Sequence, residues 1–414
     1  MIETKFKQTE LCRIPKDWDI GTFADFLITF SAGATPYRGI PDNFVGTIPW
    51  ISSGELNYCE IENTREHISS DAQKNTHLTL HKPGTFLIAI TGLEAAGTRG
   101  RCAFVKTPAT TNQSCLAINS TDKMTVKYLF WFYRQWSDFL AFNFSQGSKQ
   151  QSFTAEIVKR LPLYAPKYKE QEKIAEALSD VDRLIRELNT LLEKKRAIMQ
   201  GTMQELLTAR RRLPGFDEPW KNIIFGNVVD IYRGGSPRPI NSFITTNPNG
   251  LNWIKIGDVR PNDKYITHTA EKIIREGLPA TRMVYAGDFI LSNSMSFGRP
   301  YICKIDGCIH DGWLAITKYE SSFDKDFLYY LLGANFVYRQ YMTLAAGSGV
   351  LNLNKKVVGD VELTVPTIDE QQAIASILSD MDVEIEELEA KRDKYIAVRQ
   401  GMMQQLLTGK IRLI

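Results

Sequence analysis

The chain has 414 residues, of which 43% are apolar and 23% are charged, and its formal net charge at pH 7 is +3. This length exceeds what one hydrophobic core usually serves, so we expect two or more domains. The composition is typical of a globular protein, no apolar run approaches the roughly 18 residues of a membrane span, and residues 1–7 lack a signal-peptide core. We therefore expect a cytoplasmic protein without a membrane partner, and so small a net charge does not by itself indicate nucleic acid.

Residues 1–165 are predicted to form a first globular domain. Short runs of branched and aromatic residues between Gly and Pro indicate strands over 47–51, 84–90 and 102–105. The aromatic-rich segment 128–142 is predicted to be a helix that packs on the resulting sheet. This mixture predicts an α+β domain.

Residues 166–213 are predicted to form a long helix. The segment opens with Pro166, and proline suits the start of a helix rather than its interior. Apolar residues then recur at steps of four and three, which is typical of a seam that pairs with another helix. The seam residues are Ile174, Leu178, Val181, Ile185, Leu188 and Leu192.

Residues 214–365 repeat the plan of the first domain more loosely. The loop Gly33-Ala34-Thr35-Pro36 has a counterpart in Gly234-Gly235-Ser236-Pro237, and Trp50-Ile51 has one in Trp253-Ile254. The offset between matching residues wanders, so short insertions separate the copies. Because the frame is shared while the loops differ, we expect two similar α+β domains that recognise different things.

Residues 366–414 repeat the first long helix at a constant offset of 200 residues, without a gap. Glu170-Gln171 matches Glu370-Gln371, and Leu206-Leu207-Thr208 matches Leu406-Leu407-Thr408. Such internal repetition is the strongest organising signal in the chain. The second seam consists of Ile374, Leu378, Met381, Ile385 and Leu388.

Charge and connectivity predict that the two long helices pair with each other, as an antiparallel coiled coil. Residues 166–213 carry eleven Lys and Arg against eight Asp and Glu, whereas 366–414 carry six against nine. Opposite flanking charge favours a partner over a self-pair. The second helix leaves the domain that the first one enters, so it should run back along the first, with one domain at each end. Gly201 and Gly401 are predicted to mark close approach of the two backbones, and burial of each helix in a separate domain core stays the alternative.

The order of domain, helix, domain, helix resembles the specificity (S) subunit of type I restriction–modification systems over nearly the whole chain. The pattern Pro-x-x-x-Glu-Gln-x-x-Ile-Ala opens each helix, at 166–175 and at 366–375. The resemblance implies that 1–165 and 214–365 are target recognition domains, each reading one half of a split sequence in double-stranded DNA.

The same resemblance implies the partners. Residues 166–213 and 366–414 would be spacer helices that dock two methyltransferase (M) subunits, which endonuclease–translocase (R) subunits join. No cofactor is then expected in this chain. S-adenosylmethionine, ATP and Mg would belong to the partner subunits.

Motifs of catalysis or metal binding are missing from the sequence. There is no Asn-Pro-Pro-aromatic tetrad for a flipped adenine and no Gly-x-x-x-x-Gly-Lys-Ser/Thr phosphate loop. The six cysteines form no Cys-x-x-Cys, and His77 and His81 have no third ligand nearby. The pair His310-Asp311 has no nucleophile motif in reach. We therefore expect neither a catalytic site nor a metal site.

Polar residues that follow the predicted turns are the expected DNA contacts, because Arg grips guanine, Asn or Gln grips adenine, and Lys or Arg neutralises phosphates. In the first domain these residues are Thr35, Tyr37, Arg38, Arg99, Arg101, Lys149 and Gln150. In the second domain they are Arg233, Ser236, Arg238, Asn293, Ser294, Arg299 and Lys355. The run Arg210–Arg212 either contacts phosphates or caps the first long helix.

Three further interpretations of the sequence stay open. The chain could be a specificity subunit of another multisubunit restriction–modification type, a coiled-coil protein-interaction scaffold, or an enzyme. Strong salt dependence of duplex binding would separate a DNA reader from a scaffold. A methyl-transfer assay on the isolated chain would test for an enzyme.

Overall fold

A computed structural model describes residues 5–94, 99–147, 151–260, 263–293, 297–346 and 353–414. The chain divides into two compact units. Unit 1 consists of Met1–Asn189 with Lys391–Ile414, and unit 2 consists of Thr190–Ala390. Each unit therefore contains one part of each long helix. Within the described ranges, no helix is both long and apolar enough to cross a membrane.

Unit 1 contains a five-stranded mixed sheet, a three-stranded mixed sheet and two small antiparallel pairs. Its strands are β1 (Phe6–Gln8), β2 (Arg13–Pro15), β3 (Asp19–Thr22), β4 (Leu27–Ala32), β5 (Ile48–Ile51), β6 (Cys59–Ile61), β7 (Glu66–Ile68), β8 (Phe86–Ala89), β9 (Cys102–Val105), β10 (Thr110–Thr111), β11 (Cys115–Ser120) and β12 (Pro162–Ala165). Its helices are α1 (Phe23–Phe26), α2 (Ser70–Asn75), α3 (Val126–Phe144), α4 (Ala155–Arg160) and the first part of α5 (Tyr168–Leu206). The sheet orders are β4-β11-β8-β9-β6, β10-β5-β7, β1-β2 and β12-β3.

The central strand β8 explains the layering of unit 1. All four of its side chains are buried, and they alternate between two hydrophobic clusters. Phe86 and Ile88 join the cluster that contains α3, whereas Leu87 and Ala89 join the cluster that contains Ile51 of the smaller sheet. Since successive strand residues point to opposite faces, an apolar run of this kind is covered on both sides.

Unit 2 repeats this architecture. Its strands are β13 (Lys221–Ile224), β14 (Asp230–Arg233), β15 (Ile244–Thr245), β16 (Leu251–Ile254), β17 (Tyr265–Ile266), β18 (Glu271–Ile273), β19 (Arg282–Val284), β20 (Phe289–Ser292), β21 (Pro300–Cys303), β22 (Gly307–Ile309), β23 (Trp313–Thr317) and β24 (Glu362–Val365). Its helices are the last part of α5, α6 (Lys325–Leu332), α7 (Asn335–Ala346), α8 (Lys355–Gly359) and the first part of α9 (Ile368–Leu406). The sheet orders are β14-β23-β20-β21-β17, β15-β18-β16-β22-β19 and β13-β24.

One five-stranded sheet has the same strand order in both units when strands are matched along the chain: β4-β11-β8-β9-β6 in unit 1 and β14-β23-β20-β21-β17 in unit 2. The helix that follows it differs. In unit 1, α3 runs for 19 residues without interruption from its N-cap Thr125, whose hydroxyl accepts from the Tyr128 N–H at 3.2 Å. In unit 2, α6 ends at Leu332 with Gly333 as its C-cap, and α7 begins at Asn335. Glycine favours a helix end because it carries the largest entropic cost inside a helix.

The Glu-Gln pair of each long helix fixes the helix start to the rest of its unit. The Gln171 amide donates to Lys123 O at 2.8 Å and to Pro166 O at 3.0 Å, and its oxygen accepts from the Thr125 N–H at 2.9 Å. Gln371 makes the equivalent three bonds in unit 2, and both glutamines are 1% exposed. The repeated motif therefore satisfies backbone groups where a loop meets the helix.

The preceding glutamates hold arginines in both units. Glu170 accepts two bonds from Arg412, at 2.7 and 2.8 Å, and Glu370 accepts two from Arg212, at 3.1 and 2.7 Å. Both carboxylates are buried. Arg212 is therefore engaged within the protein, so our suggestion that it contacts phosphates or caps the helix is wrong for this residue.

Contacts within each unit confirm that the long helices run antiparallel. In unit 1, Ile174 and Leu178 near the start of α5 share a core with Leu406 and Leu407 at the end of α9. In unit 2 the order is reversed, since Ile374 and Leu378 of α9 share a core with Leu206 and Leu207 of α5. Two ion pairs in unit 2 accompany this packing. They join Lys195 to Glu384 at 2.6 Å and Arg196 to Glu389.

The predicted seam residues are buried or half-buried, and the predicted role of the glycines is wrong. Eight seam residues are at most 8% exposed, and the half-buried ones are Val181, Met381 and Leu388. Gly201 and Gly401 are exposed, and a Cβ added at either would meet no atom within 4 Å. The helices therefore do not approach closely at these positions, and both glycines lie on the solvent side.

Candidate nucleic-acid interface

The first glycine loop of each unit lies against the segment that precedes β11 in unit 1 and β23 in unit 2. The Ala34 N–H donates to Thr111 O at 3.2 Å, and the Gly235 N–H donates to Ile309 O at 3.2 Å. A Cβ on Gly33 would lie 1.9 Å from Thr111 O, and one on Gly234 would lie 2.1 Å from His310 O. Only glycine permits so close an approach, which gives these loops the same path.

A hydroxyl two residues after the first glycine makes the same contact in both units. The Thr35 hydroxyl donates to the Gln113 side-chain oxygen, and the Ser236 hydroxyl donates to Asp311 Oδ1 at 2.7 Å. The bond from Ser236 lowers the pKa of Asp311, so this carboxylate stays ionised near neutral pH. The residue that accepts the bond from the hydroxyl is thus an exposed neutral amide, Gln113, in unit 1 and an anion, Asp311, in unit 2.

Tyr37 and Arg38 continue the loop of unit 1. Tyr37 is 74% exposed. Arg38 is also exposed, but it donates two bonds of 2.9 Å to the Glu66 carboxylate, and its Cζ lies 4.6 Å from the centre of the Phe44 ring. This ion pair lowers the pKa of Glu66. Arg38 would have to give up part of that contact to bind a base.

The remaining arginines predicted in unit 1 are tied to the protein. Arg99 is half-buried and donates to Leu93 O at 2.7 Å and to Glu94 O at 2.8 Å. Arg101 is half-buried and also has an interaction partner. The predicted residues Lys149 and Gln150, like Ser294 of unit 2, lie outside the described residues.

The predicted residues of unit 2 separate into exposed and buried ones. Arg238 is exposed, and Arg233 is exposed while its Nε donates to Asp311 O at 3.2 Å. Asn293 is only 1% exposed and donates to the same carbonyl at 2.8 Å. The interpretation of Asn293 as a DNA contact is therefore wrong, because its amide holds the turn at 311 and is covered.

Lys355 belongs to a basic group that the sequence did not indicate. Its Nζ lies 5.3 Å from the centre of the Tyr232 ring, and the Arg282 Cζ lies 4.3 Å from the same ring. Both cations are exposed. Arg282 and Tyr232 were missed because 50 residues separate them, and no periodicity or motif joins their strands. Cations over an aromatic face form a surface suited to phosphate and base contacts.

Arg299 lies in a different setting from the first loop. It lines a cavity together with Met199 of α5 and Tyr329 and Tyr330 of α6. This cavity belongs to the helical side of unit 2. Arg299 and Arg238 therefore do not form one continuous group of candidate DNA contacts.

Candidate catalytic groups are held in structural roles. The backbone N–H groups of Ile256 and Gly312 point at the two ring nitrogens of His310, at 3.1 and 2.6 Å, and burial lowers its pKa. The six cysteines carry no disulfide, and burial raises the pKa of Cys12 to about 11. Across the part of the chain that the structure describes, no three His, Cys, Asp or Glu side chains cluster as metal ligands would.

Two copies of one α+β frame, each joined to paired helices and carrying exposed basic and aromatic side chains, are typical of a nucleic-acid recognition protein. The sequence model of the type I restriction modification DNA specificity domain matches residues 15–195 and again 217–396. The chain therefore belongs to the type I restriction–modification DNA specificity family, with two copies of the domain.

Named relatives agree with this family. The chain is 23% identical over 436 residues to the type I restriction enzyme MjaVIII specificity subunit of Methanocaldococcus jannaschii, covering 99% of this chain and 97% of the relative. It is 32% identical over 200 residues to the MjaIX specificity subunit of the same organism, covering 46% of this chain and 45% of the relative. These relatives are named as specificity subunits.

Solved structures share the fold. The S subunit of a type I system from M. genitalium aligns with a TM-score of 0.61 and 14% identity, covering 97% of this chain and 98% of the other. A chain from a study of complex assembly in a type I restriction–modification system aligns with a TM-score of 0.58 and 17% identity, covering 96% and 99%. At these identities the likeness is one of fold.

Proposed function

We propose that the chain is the non-catalytic subunit that reads a split DNA target, with unit 1 reading one half and unit 2 the other. One observation carries this proposal. Equivalent loops follow the same path in both units but present different chemistry, with Thr35 and Gln113 in unit 1 and Ser236 and Asp311 in unit 2. Hydrogen-bonding side chains of different type distinguish base pairs in the major groove.

The proposed contacts are exposed or half-buried residues of these loops, together with the two exposed cations beside the Tyr232 ring. In unit 1 they are Thr35, Tyr37, Arg38 and Gln113. In unit 2 they are Arg233, Ser236, Arg238, Arg282 and Lys355. The first group is nearly neutral once Arg38 is paired with Glu66, whereas the second is basic. We expect unit 2 to contribute more of the salt-dependent affinity for phosphates.

The partners follow from the same proposal. Methyl transfer and cleavage would belong to two methyltransferase subunits and to endonuclease–translocase subunits, which would bring S-adenosylmethionine, ATP and Mg. Exposed apolar residues on the long helices support a docking role, since such residues are otherwise unfavourable in water. In unit 2 these residues are Leu191, Ile198, Ile368, Ile377 and Val383, which are 36–53% exposed. A function on cellular DNA also supports our expectation that the protein is cytoplasmic.

A binding titration with the reconstituted methyltransferase complex tests the assignment of halves. Its duplexes carry substitutions in one half of the target at a time. Arg238→Ala should relax discrimination in one half by about 1–3 kcal/mol per lost base contact and leave the other half unchanged. Arg282→Ala serves as a comparison, because a phosphate contact should weaken all sequences equally and reduce the salt slope. Equal loss of discrimination in both halves for Arg238→Ala would contradict the proposal.

A further inference from the structure

Asp182 of α5 accepts hydrogen bonds from three guanidinium groups within unit 1. Arg134 of α3 donates to Oδ1 at 3.2 Å, Arg399 of α9 donates to the same oxygen, and Arg186 donates to Oδ2. The Arg134 guanidinium also lies 5.2 Å from the centre of the Trp131 ring. The carboxylate is 6% exposed, so its burial is compensated by charges that the chain itself supplies.

The internal repeat places Asp382 in the same position in unit 2. In unit 1, Trp131 Nε1 donates to the Ser179 hydroxyl oxygen at 3.1 Å. In unit 2, the Tyr330 hydroxyl lies 3.3 Å from the Ser379 hydroxyl oxygen. Asp382 follows Ser379 by three residues, as Asp182 follows Ser179. The Tyr330 hydroxyl donates to Asp382 Oδ2 at 2.5 Å.

All three arginines are replaced in unit 2. The residues at the positions of Arg134, Arg399 and Arg186 are Gly333, Met199 and Glu386. Among the described residues, the hydrogen-bond partner that remains for Asp382 is the Tyr330 hydroxyl. The carboxylate is kept while the three arginines that bond it in unit 1 are replaced.

A cavity of about 500 Å³ occupies this part of unit 2, and Asp382, Met199 and Gly333 line it. Its charged lining residues are Asp263, Asp382 and Arg299, so the wall carries two carboxylates and one guanidinium. Aromatic side chains complete the lining. They are Phe297, Tyr329, Tyr330 and Tyr338.

Lys264 makes no direct bond to Asp382, although its Nζ lies 3.5 Å from the Tyr330 hydroxyl. Its Nζ pairs with Asp326 at 2.9 Å and lies 4.9 Å from the centre of the Tyr330 ring. Burial raises the pKa of Asp382 even though the Tyr330 bond and the Lys264 charge oppose that rise. The half-buried carboxylate therefore remains undercompensated.

We propose that the cavity beside Asp382 binds a guanidinium group that this chain does not supply. A guanidinium fits because it is planar and weakly hydrated, stacks on aromatic faces and donates two parallel bonds to a carboxylate. Unit 1 provides the precedent, since the Arg134 guanidinium bonds the equivalent carboxylate and lies over the equivalent aromatic ring, Trp131. The group can come from an arginine side chain of a partner subunit or from a free arginine-like ligand. This proposal is independent of which DNA sequence the chain recognises.

The test is a calorimetric titration of the full chain with N-acetyl-L-arginine methylamide, and with the citrulline analogue as the matched neutral probe. We expect saturable binding of the arginine probe and binding of the citrulline probe that is weaker by about tenfold or more. Asp382→Asn should remove the difference between the two probes. Equal binding of both probes to the unaltered chain would overturn the proposal.

Substitutions at Met199 provide a second test that does not depend on removing the carboxylate. Met199→Arg restores the arginine present at 399, so it should raise the melting temperature and abolish binding of the arginine probe. Met199→Leu keeps the cavity uncharged and should retain binding. A Met199→Arg protein that still binds the arginine probe as the unaltered chain does would also overturn the proposal.

Probe binding to the assembled complex shows whether the guanidinium group comes from a partner subunit or from a free ligand. If a partner's arginine side chain occupies the cavity, the complex with the methyltransferase subunit should no longer bind the arginine probe, and Asp382→Asn should weaken assembly. If the complex binds the probe as the free chain does, the natural occupant is a free ligand. Both outcomes retain the guanidinium site.

Discussion

The carboxylates of Asp182 and Asp382 occupy equivalent positions in two copies of one fold, but their surroundings are opposite. Three arginines surround Asp182, whereas a tyrosine hydroxyl and an open cavity adjoin Asp382. Removal of a buried carboxylate is destabilising when the chain supplies its cations, because those cations are left unpaired. A carboxylate whose cations the chain does not supply becomes a candidate binding site. The repeat provides each unit with a control for the other.

The largest expected effect is one that both units share. Leu178→Asp and Leu378→Asp each place a charge at a fully buried position and remove a core side chain. Each should destabilise its own unit by more than about 5 kcal/mol. Hydrogen exchange of peptides from β8 in unit 1 and β20 in unit 2 measures the loss.

The conservative changes Leu178→Met and Leu378→Met serve as controls and should cost less than about 1.5 kcal/mol. If either aspartate variant left exchange in its own unit unchanged, the shared packing of the helices into both cores would be contradicted.

The next effect should separate the two units. Asp182→Asn leaves the mostly buried guanidinium groups of Arg134 and Arg399 without their carboxylate, and the free energy of unfolding of unit 1 should fall by about 3 kcal/mol. Asp382→Asn keeps a hydrogen-bond partner for Tyr330 and removes an undercompensated charge, so unit 2 should be unchanged or more stable at pH 7. Exchange of α3 peptides against α6 peptides tests the contrast. Equal destabilisation of both units would refute it.

A third prediction concerns the exposed arginines of the first loops. Arg238→Ala should cost about 1–3 kcal/mol of binding to its half-site, and Arg38→Ala should cost less, because Arg38 must give up contact with Glu66 to reach DNA. Glu66→Gln should release Arg38 and tighten binding at the half-site read by unit 1. Titrations with duplexes altered in one half measure all three variants. Weaker binding by the Glu66→Gln protein would argue that the ion pair itself positions the loop.

The smallest effect is a difference in pH dependence. Burial raises the pKa of Asp382, so its ionised form destabilises unit 2, and the advantage of Asp382→Asn should be present at pH 7 and vanish below the ordinary carboxyl pKa of 3.8. In unit 1, the hydrogen bond from Arg412 lowers the pKa of Asp17. Ionised Asp17 is therefore stabilising, and that contribution should disappear as pH falls through its lowered pKa. In thermal melts against the unaltered chain, the advantage of Asp382→Asn should therefore grow as pH rises from 3.8 to 7. The loss caused by Asp17→Asn should be constant over that range and should shrink only below pH 3.8.

The long-range plan was predictable from the sequence because it depends on repetition and periodicity. The offset of 200 residues and the seam spacing predicted the paired helices, and the strand predicted over 102–105 is β9. Whether a given side chain is free to contact DNA was not predictable in the same way. Arg38 and Glu66 are 28 residues apart, and Asn293 is covered because its amide bonds a turn 18 residues later. The role of Glu170 also depends on Arg412, at the other end of the chain. Such partners are set by the fold, and no local pattern indicates them.

The most direct test of the DNA-reading account is sequencing of methylated adenines in a host that carries the complete system with this chain. The account predicts a motif of two unrelated halves separated by unread bases. It also predicts that Arg238→Ala broadens one half and leaves the other intact. A continuous or symmetric motif, or broadening of both halves by that single substitution, would contradict the assignment of one half to each unit.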